Sequence, residues 1–451
     1  MLYNYQKQGV EFLRETKKAI LADDMGLGKS IQALVAVAED ASIPCLIVCP
    51  KTVKLVWKLE IEKWLPGKKA IIVDGTKLNR SKLIASKCDF LIINYEQLKI
   101  HELELLKHDW KSLIFDEAHK LKNQKGKTFR AGCHFSVKFA NVPIYFLTGT
   151  PVLNRPQEIW SLLHLIDKKK YSSYWSWVYR NFRVDTEEYK AQGIRFKVIK
   201  EPLDQDGLAN SLKPYLLRRE RDAVLELPPL NEIVLPVELS GHQLDSYRSM
   251  KRNMIAQLSE TQLVAAPVVL AQLTRLKQIA CSEGILVPPY SCQGAKYDAL
   301  LDLLDSCSDK KVVIFSQFSK YLDELYKTLK KRGFGIITGD TDMTSRINQV
   351  KDFQDKNGTL KGMLIAIKAG GEGITLTEGS VVVFLDLVWT PATIDQAIAR
   401  VYRNGQTKPV DVYYIRAMNT IENKIDKMLK EKRFLIKSSI PVAELSDLLA
   451  E

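Results

Sequence analysis

The stretch AILADDMGLGKS, residues 19–30, runs from a short apolar segment through a glycine-bearing turn and into the helix-like text SIQALVAVAED. In a strand–turn–helix of this kind Gly26 and Gly28 let successive backbone N–H groups close around phosphate oxygens. Lys29 brings a positive charge to the terminal phosphates, and the Ser30 hydroxyl suits Mg²⁺. The reading is a P-loop, although Asp23 stands where the strict pattern asks for glycine. The expected ATP contacts are therefore Asp23, Asp24, Met25, Gly26, Leu27, Gly28, Lys29 and Ser30, with Ser30 also a metal ligand. A phosphate-binding turn between a buried strand and a helix belongs to α/β architecture.

The rest of the first half keeps that rhythm. Apolar runs at 45–49 (CLIVC), 70–73 (AIIV), 90–94 (FLIIN), 112–115 (SLIF) and 144–148 (IYFLT) read as strands of a parallel sheet buried on both faces. Between about 166 and 290 the text turns long, charged and helix-like, and from about 296 strands resume with KVVIFSQF, FGIITG, GMLIAI, VVVFLDL and PVDVYYI. The expectation is α/β, two parallel-sheet lobes with a helical insert between them: residues 1–165, an insert over 166–290, a second lobe over 291–420 and a helical tail over 421–451.

The run SLIF passes directly into Asp116-Glu117-Ala118-His119. An apolar strand ending in two acids suits Mg²⁺ held by Asp116, with Glu117 turned to the water that attacks the γ-phosphate. The pair supplies what a P-loop lacks for hydrolysis.

Composition bounds the partners. The chain has 451 residues, 46% apolar and 26% charged, which excludes a disordered or collagen-like chain. Its 66 basic against 53 acidic side chains leave +13, and such an excess favours a polyanion. No apolar run approaches a bilayer span, and the N-terminal text has no signal-peptide core, so a membrane role and export are not expected. Seven cysteines without a C-x-x-C pair read as reduced, intracellular thiols, with Cys45 and Cys49 as small core residues. The aromatic cluster at 171–179 reads first as helix core.

Four motifs in order, DDMGLGKS, DEAH, LTGTP (147–151) and QAIARVYRNGQ (396–406), resemble motifs I, II, III and VI of the Swi/Snf-type ATPases of helicase superfamily two. The resemblance covers nearly the whole chain. It implies two RecA-like lobes with ATP between them, Gln6 reading adenine, and Arg400 and Arg403, oriented by Gln396, completing the catalytic set with Lys29, Asp116 and Glu117. It further implies that Thr148, Gly149 and Thr150 couple nucleotide state to DNA grip. Lys51, Thr52, Tyr95, Gln317, Lys368 and Trp389 would face DNA, their hydroxyls and basic groups suiting phosphate oxygens. Thr375, Thr390 and Asn404 depart from the usual family residues and lean toward its short, distal members.

The resulting expectation is an ATP- and Mg²⁺-dependent motor that moves along double-stranded DNA. It would be a soluble, cytoplasmic or nucleoid-associated monomer of bacterial, archaeal or viral origin, acting alone or with a protein targeting partner. A strand-separating helicase on forks or RNA, and a nucleotide-gated clamp on nucleic acid, are the alternatives.

Overall fold

The computed structural model describes residues 2–149, 156–189, 194–260, 266–367, 374–427 and 429–430. The described residues divide into two compact units, one up to Glu226 and the other from Leu227 onward.

Among the described residues the first unit is built on β1 (Lys18–Leu21), β2 (Cys45–Cys49), β3 (Ala70–Ile72), β4 (Phe90–Asn94), β5 (Ser112–Asp116), β6 (Ile144–Leu147) and, far along the chain, a two-residue β9 (Leu216–Leu217). Their order is β3-β4-β2-β5-β6-β1-β9 and every pairing is parallel. Alternate side chains serve two cores: Ile20, Leu46, Leu113 and Phe146 pack on one face, Ala19, Leu21, Ile47 and Tyr145 on the other. Burial on both faces is why these strands read as continuous apolar runs. Cys45 and Cys49 are buried in the second of these cores, and all seven cysteines are free thiols.

Parallel strands point their carboxyl ends the same way, so the loops after β4, β2, β5, β6 and β1 lie in a row along one edge. The segments there open with Tyr95, Pro50-Lys51, Glu117, Thr148 and the approach to the glycine turn respectively. Topology alone therefore gathers residues far apart in sequence. Helices α1 (Asn4–Thr16) and α2 (Lys29–Glu39) pack together beside β1, and α3 (Lys54–Trp64) lies beside β3 and β4.

The second unit carries β10 (Leu230–Val237), β11 (Val312–Ser316), β12 (Phe334–Ile337), β13 (Gly362–Ala366), β14 (Val381–Phe384) and β15 (Val410–Ala417), ordered β10-β15-β14-β11-β13-β12 and again all parallel. Two parallel-sheet units are the architecture expected from the sequence.

The expected helical insert over 166–290 is corrected. That stretch does contain helices such as Tyr174–Asn181 and Gly241–Glu260. It also contains an antiparallel hairpin, β7 (Phe182–Tyr189) with β8 (Ile194–Pro202). Its remaining strands, β9 and β10, join the first and second sheets, so the segment is shared between the units, which meet in sequence at 226/227. The physical reason is edge pairing: β1 and β15 would otherwise present bare ladders of N–H and C=O groups. Of the expected tail, residues 421–427 are helical and 431–451 lie outside the described residues. Among the described residues no helix is long and apolar enough to cross a membrane.

Candidate nucleotide site

Gly28 precedes α2 with φ +77° and Gly26 has φ +90°, left-handed values that a side chain at either position would strain. Gln6, from α1, is buried against this turn: its Nε2 donates to the Leu27 carbonyl at 3.2 Å, and its Oε1 accepts from the Tyr3 N–H at 3.0 Å. A Cβ on Gly28 would sit 2.6 Å from Gln6 Nε2, a second reason for glycine there. The resemblance thus pointed to a residue that does lie on the turn.

Lys29 Nζ donates to the main-chain carbonyls of Asp23 at 2.7 Å and Asp24 at 3.2 Å. Burial pulls its pKa down, opposed by the nearby acids Glu117, Asp23, Asp24 and Asp116. The half-buried ammonium is thus satisfied by two main-chain carbonyl oxygens.

Asp23 is corrected in part. Its carboxylate does not face the turn's concave side but is fully buried against Arg219, whose Nε donates to Oδ1 at 2.9 Å and Nη2 to Oδ2 at 2.5 Å. Gln32 Nε2 adds a third bond to Oδ2 at 3.1 Å. Only the Asp23 carbonyl meets Lys29. Asp24 accepts from the Arg221 N–H at 3.1 Å through its own carboxylate. Arg219 and Gln32 escaped sequence reasoning.

Asp116 ends β5, and its Oδ2 accepts from the Trp57 indole N–H at 2.8 Å while Oδ1 accepts from the Glu117 N–H at 2.9 Å. Burial, then the adjacent Glu117 carboxylate, pushes its pKa up to about 7. Trp57, on α3 and 2% exposed, is a second residue that sequence reasoning missed. The Asp116 carboxylate and Ser30 hydroxyl are hard oxygen donors of the kind Mg²⁺ takes alongside substrate phosphates. The raised pKa of Asp116, crowded by the neighbouring Glu117 carboxylate, also fits a place for a cation.

Glu117 sits at φ +49°, ψ +51°, a left-handed conformation that costs a non-glycine residue about 1–3 kcal/mol and clusters at functional sites. Its Oε2 lies 3.2 Å from His119 Nδ1, and the same nitrogen lies 3.5 Å from the Thr148 hydroxyl. Thr148 is fully buried after β6, and a Cβ on the next residue, Gly149, would lie 3.4 Å from Lys29 Nζ and 2.6 Å from Met25. The turn, the acidic pair and the Thr148–Gly149 loop are thus one constellation. Thr150 lies outside the described residues.

Of the expected DNA-facing residues in this unit, Lys51 is exposed and Thr52 half-buried at the start of the loop after β2. Tyr95 is corrected: it is 2% exposed and its hydroxyl donates to the Asp116 carbonyl at 2.7 Å, so it braces the acidic loop. In the aromatic cluster, Tyr171 and Trp177 are core, whereas Trp175 and Tyr179 are exposed beneath Lys197 Nζ, 4.8 and 5.1 Å from their ring centroids.

In the second unit the helix Pro391–Ile398 presents Gln396 half-buried and then stops, so Arg400 and Arg403 stand on the turns that follow rather than on one helical face. Arg403 Nη1 donates to the Thr375 hydroxyl at 3.0 Å, and the Leu376 N–H to the Arg400 carbonyl at 2.8 Å. One of the family departures, Thr375, is therefore an arginine partner. Gln317 is corrected: its side-chain nitrogen donates to the buried Asp386 carboxylate at 2.6 Å, which fixes it as part of the loop's own framework. Trp389 is half-buried, with Lys277 Nζ 5.4 Å from its ring. Lys368 lies outside the described residues.

Residues 5–285 match the SNF2-related domain and residues 295–405 the helicase conserved C-terminal domain. The chain is 30% identical over 495 residues to the CHD3-type chromatin-remodeling factor PICKLE of Arabidopsis thaliana, covering 96% of this chain and 34% of that protein. It is 31% identical over 475 residues to the ATP-dependent DNA helicase DDM1 of the same plant, covering 96% and 61%. Among solved structures it is similar to the Sulfolobus solfataricus SWI2/SNF2 ATPase core in complex with dsDNA, at 25% identity, TM-score 0.45 and 98% coverage of both chains. The chain spans about a third to three fifths of the length of these curated relatives. With its turn, acidic pair and arginine loop now placed, the chain belongs to the SNF2-related family of helicase-like ATPases in superfamily two.

Proposed function

We propose that this chain is a DNA-stimulated ATPase that translocates on double-stranded DNA. The observation that carries the reading is the constellation of Lys29, Asp116, Glu117, His119 and Thr148 on loops from three neighbouring parallel strands, β1, β5 and β6. The glycine turn and Lys29 hold the phosphates of ATP, and Gln6 takes the base. Ser30 and Asp116 would hold Mg²⁺, which when bound neutralises charge on the phosphate oxygens. Glu117 would orient the attacking water, its carboxylate held 3.2 Å from His119 Nδ1. Arg400 and Arg403, oriented by Gln396, would supply the cationic charge that stabilises the transferred phosphoryl group.

The contact from Glu117 through His119 to Thr148 offers a route by which the acidic pair and the loop after β6 respond to one another. Lys51, Thr52 and Trp389, at loop starts, are the remaining candidates for phosphate contact. The +13 charge supports a polyanionic track. Purified protein with Mg²⁺ and ATP should release phosphate faster with linear duplex than without it, and should displace a third strand from a triplex. Lys29→Ala should abolish turnover while leaving salt-sensitive DNA binding. No duplex-dependent rise would refute the motor. A rise without triplex displacement would favour a clamp, and unwinding of forks would favour a strand-separating helicase.

A further inference from the structure

Arg219 enters the nucleotide site from an unexpected quarter. It follows β9, the late strand that pairs with β1, and the main chain continues the pairing: the Ile20, Ala22 and Asp24 N–H groups donate to the Tyr215, Leu217 and Arg219 carbonyls at 2.7, 2.7 and 2.9 Å. The guanidinium is fully buried. Besides both oxygens of Asp23, it donates to Gln32 Oε1 at 2.8 Å and to the Tyr5 carbonyl, and its Cζ lies 5.4 Å from the Tyr5 ring centroid. One planar fork thus ties α1, the first residue of the glycine turn and α2. Gly9 makes room for it: a Cβ there would meet Gln32 Oε1 at 1.8 Å and Arg219 Nη2 at 2.7 Å. A lysine ammonium has neither the reach in two directions nor the paired donors for this geometry.

Tyr5 is the residue before Gln6. Holding the Tyr5 carbonyl and ring fixes where the Gln6 amide begins, and the Gln6 bonds to Leu27 and Tyr3 fix where it ends. The Oε1 of Gln6 keeps a second lone pair, and its other N–H reaches the Tyr5 hydroxyl only at a long 3.4 Å. An acceptor beside a donor complements adenine, which presents an amino group next to a ring nitrogen, whereas guanine presents two acceptors there. We infer that Arg219 is the positioning residue for base selection: through Tyr5 it sets Gln6 for adenine, and through Asp23 it holds that reader in register with the phosphate-binding turn. This rests on the ATPase reading above.

The test compares ATP with GTP as substrates for the wild-type chain and Arg219→Lys, measuring kcat/KM for each with saturating duplex, together with thermal melting. The ATP:GTP preference should fall about tenfold in the variant, the worth of roughly one hydrogen bond, chiefly through a higher KM for ATP. Equal losses for both nucleotides, leaving the ratio unchanged, would mean that Arg219 is merely structural and would overturn the inference. If the lysine variant does not fold, Gly9→Ala intrudes on the same cluster from α1 and should lower the ratio likewise; an unchanged ratio there overturns it too. A wild-type chain that turns over both nucleotides equally well also refutes the inference. Absence of ATP turnover in the wild type refutes the proposed function instead, so the two failures are distinguishable.

Discussion

Trp57→Phe isolates one hydrogen bond on the Asp116 carboxylate, the proposed Mg²⁺ ligand. The indole N–H donates to Asp116 Oδ2 at 2.8 Å, and the ring is 2% exposed in the core beneath α3. Phenylalanine keeps most of the packing and removes only the donor. A hydrogen bond to a charged acceptor contributes about 1.5–3 kcal/mol, so the ionised form of Asp116 loses that much support. Asp116 already stands near 7 because of burial and Glu117, and Trp57 is the first opposing influence. Groups that orient a metal-ligating carboxylate typically matter by about 10- to 100-fold in metal affinity. The half-saturating Mg²⁺ concentration for duplex-stimulated phosphate release should therefore rise by about tenfold or more. Titrating Mg²⁺ at fixed ATP, with melting curves as a check on the fold, measures it. A variant as stable as the parent with an unchanged Mg²⁺ requirement would refute the claim that Trp57 shapes the Asp116 site.

Three further outcomes follow from the geometry. Tyr95→Phe removes the 2.7 Å bond to the Asp116 carbonyl and should lower stability by about 1 kcal/mol, or some 2–4 °C in melting, without altering duplex affinity at fixed salt; a loss of affinity at unchanged stability would return this residue to the DNA face. Thr148→Val severs the hydroxyl contact to His119 and should reduce stimulation by duplex more than it reduces the DNA-free rate, whereas parallel losses would refute a coupling role. Arg403→Ala should slow hydrolysis by about 10³-fold, as loss of an arginine finger does, and a decrease of less than about tenfold would leave Arg400 as the finger.

What the sequence disclosed has a physical basis. Strands buried on both faces are continuous apolar runs, so CLIVC and FLIIN were readable to the residue. The P-loop and acidic pair were readable because their chemistry needs consecutive residues. Bonds between distant segments were not: Trp57 and Asp116 are 59 positions apart, Arg219 and Asp23 are 196 apart, and neither pairing leaves a local pattern. The β7 strand FRVDTEEY alternates only over Phe182 and Val184, which meet the first unit's core, before the polar run at 185–188, and it pairs only with β8. The strand LNEIVLPV does not alternate either, with Ile233, Val234 and Leu235 in succession, and Pro236 argues against a strand interior; its edge position explains the tolerance. The burial of Tyr95 leaves no local pattern either: its ring fills the core and only its hydroxyl reaches the Asp116 carbonyl.

The late arrival of β9 bears on where the polypeptide can be cut. An excised piece stopping at residue 165 would amputate Arg219 and strand the Asp23 carboxylate, at 0% exposure, without its counter-charge. Breaking a buried ion pair in this way costs about 3–5 kcal/mol, a large share of a domain's margin. It would also leave the β1 rim open to sticking. Autonomy of the amino-terminal half thus begins only near Glu226, some sixty residues beyond the boundary at 165 that the sequence suggests.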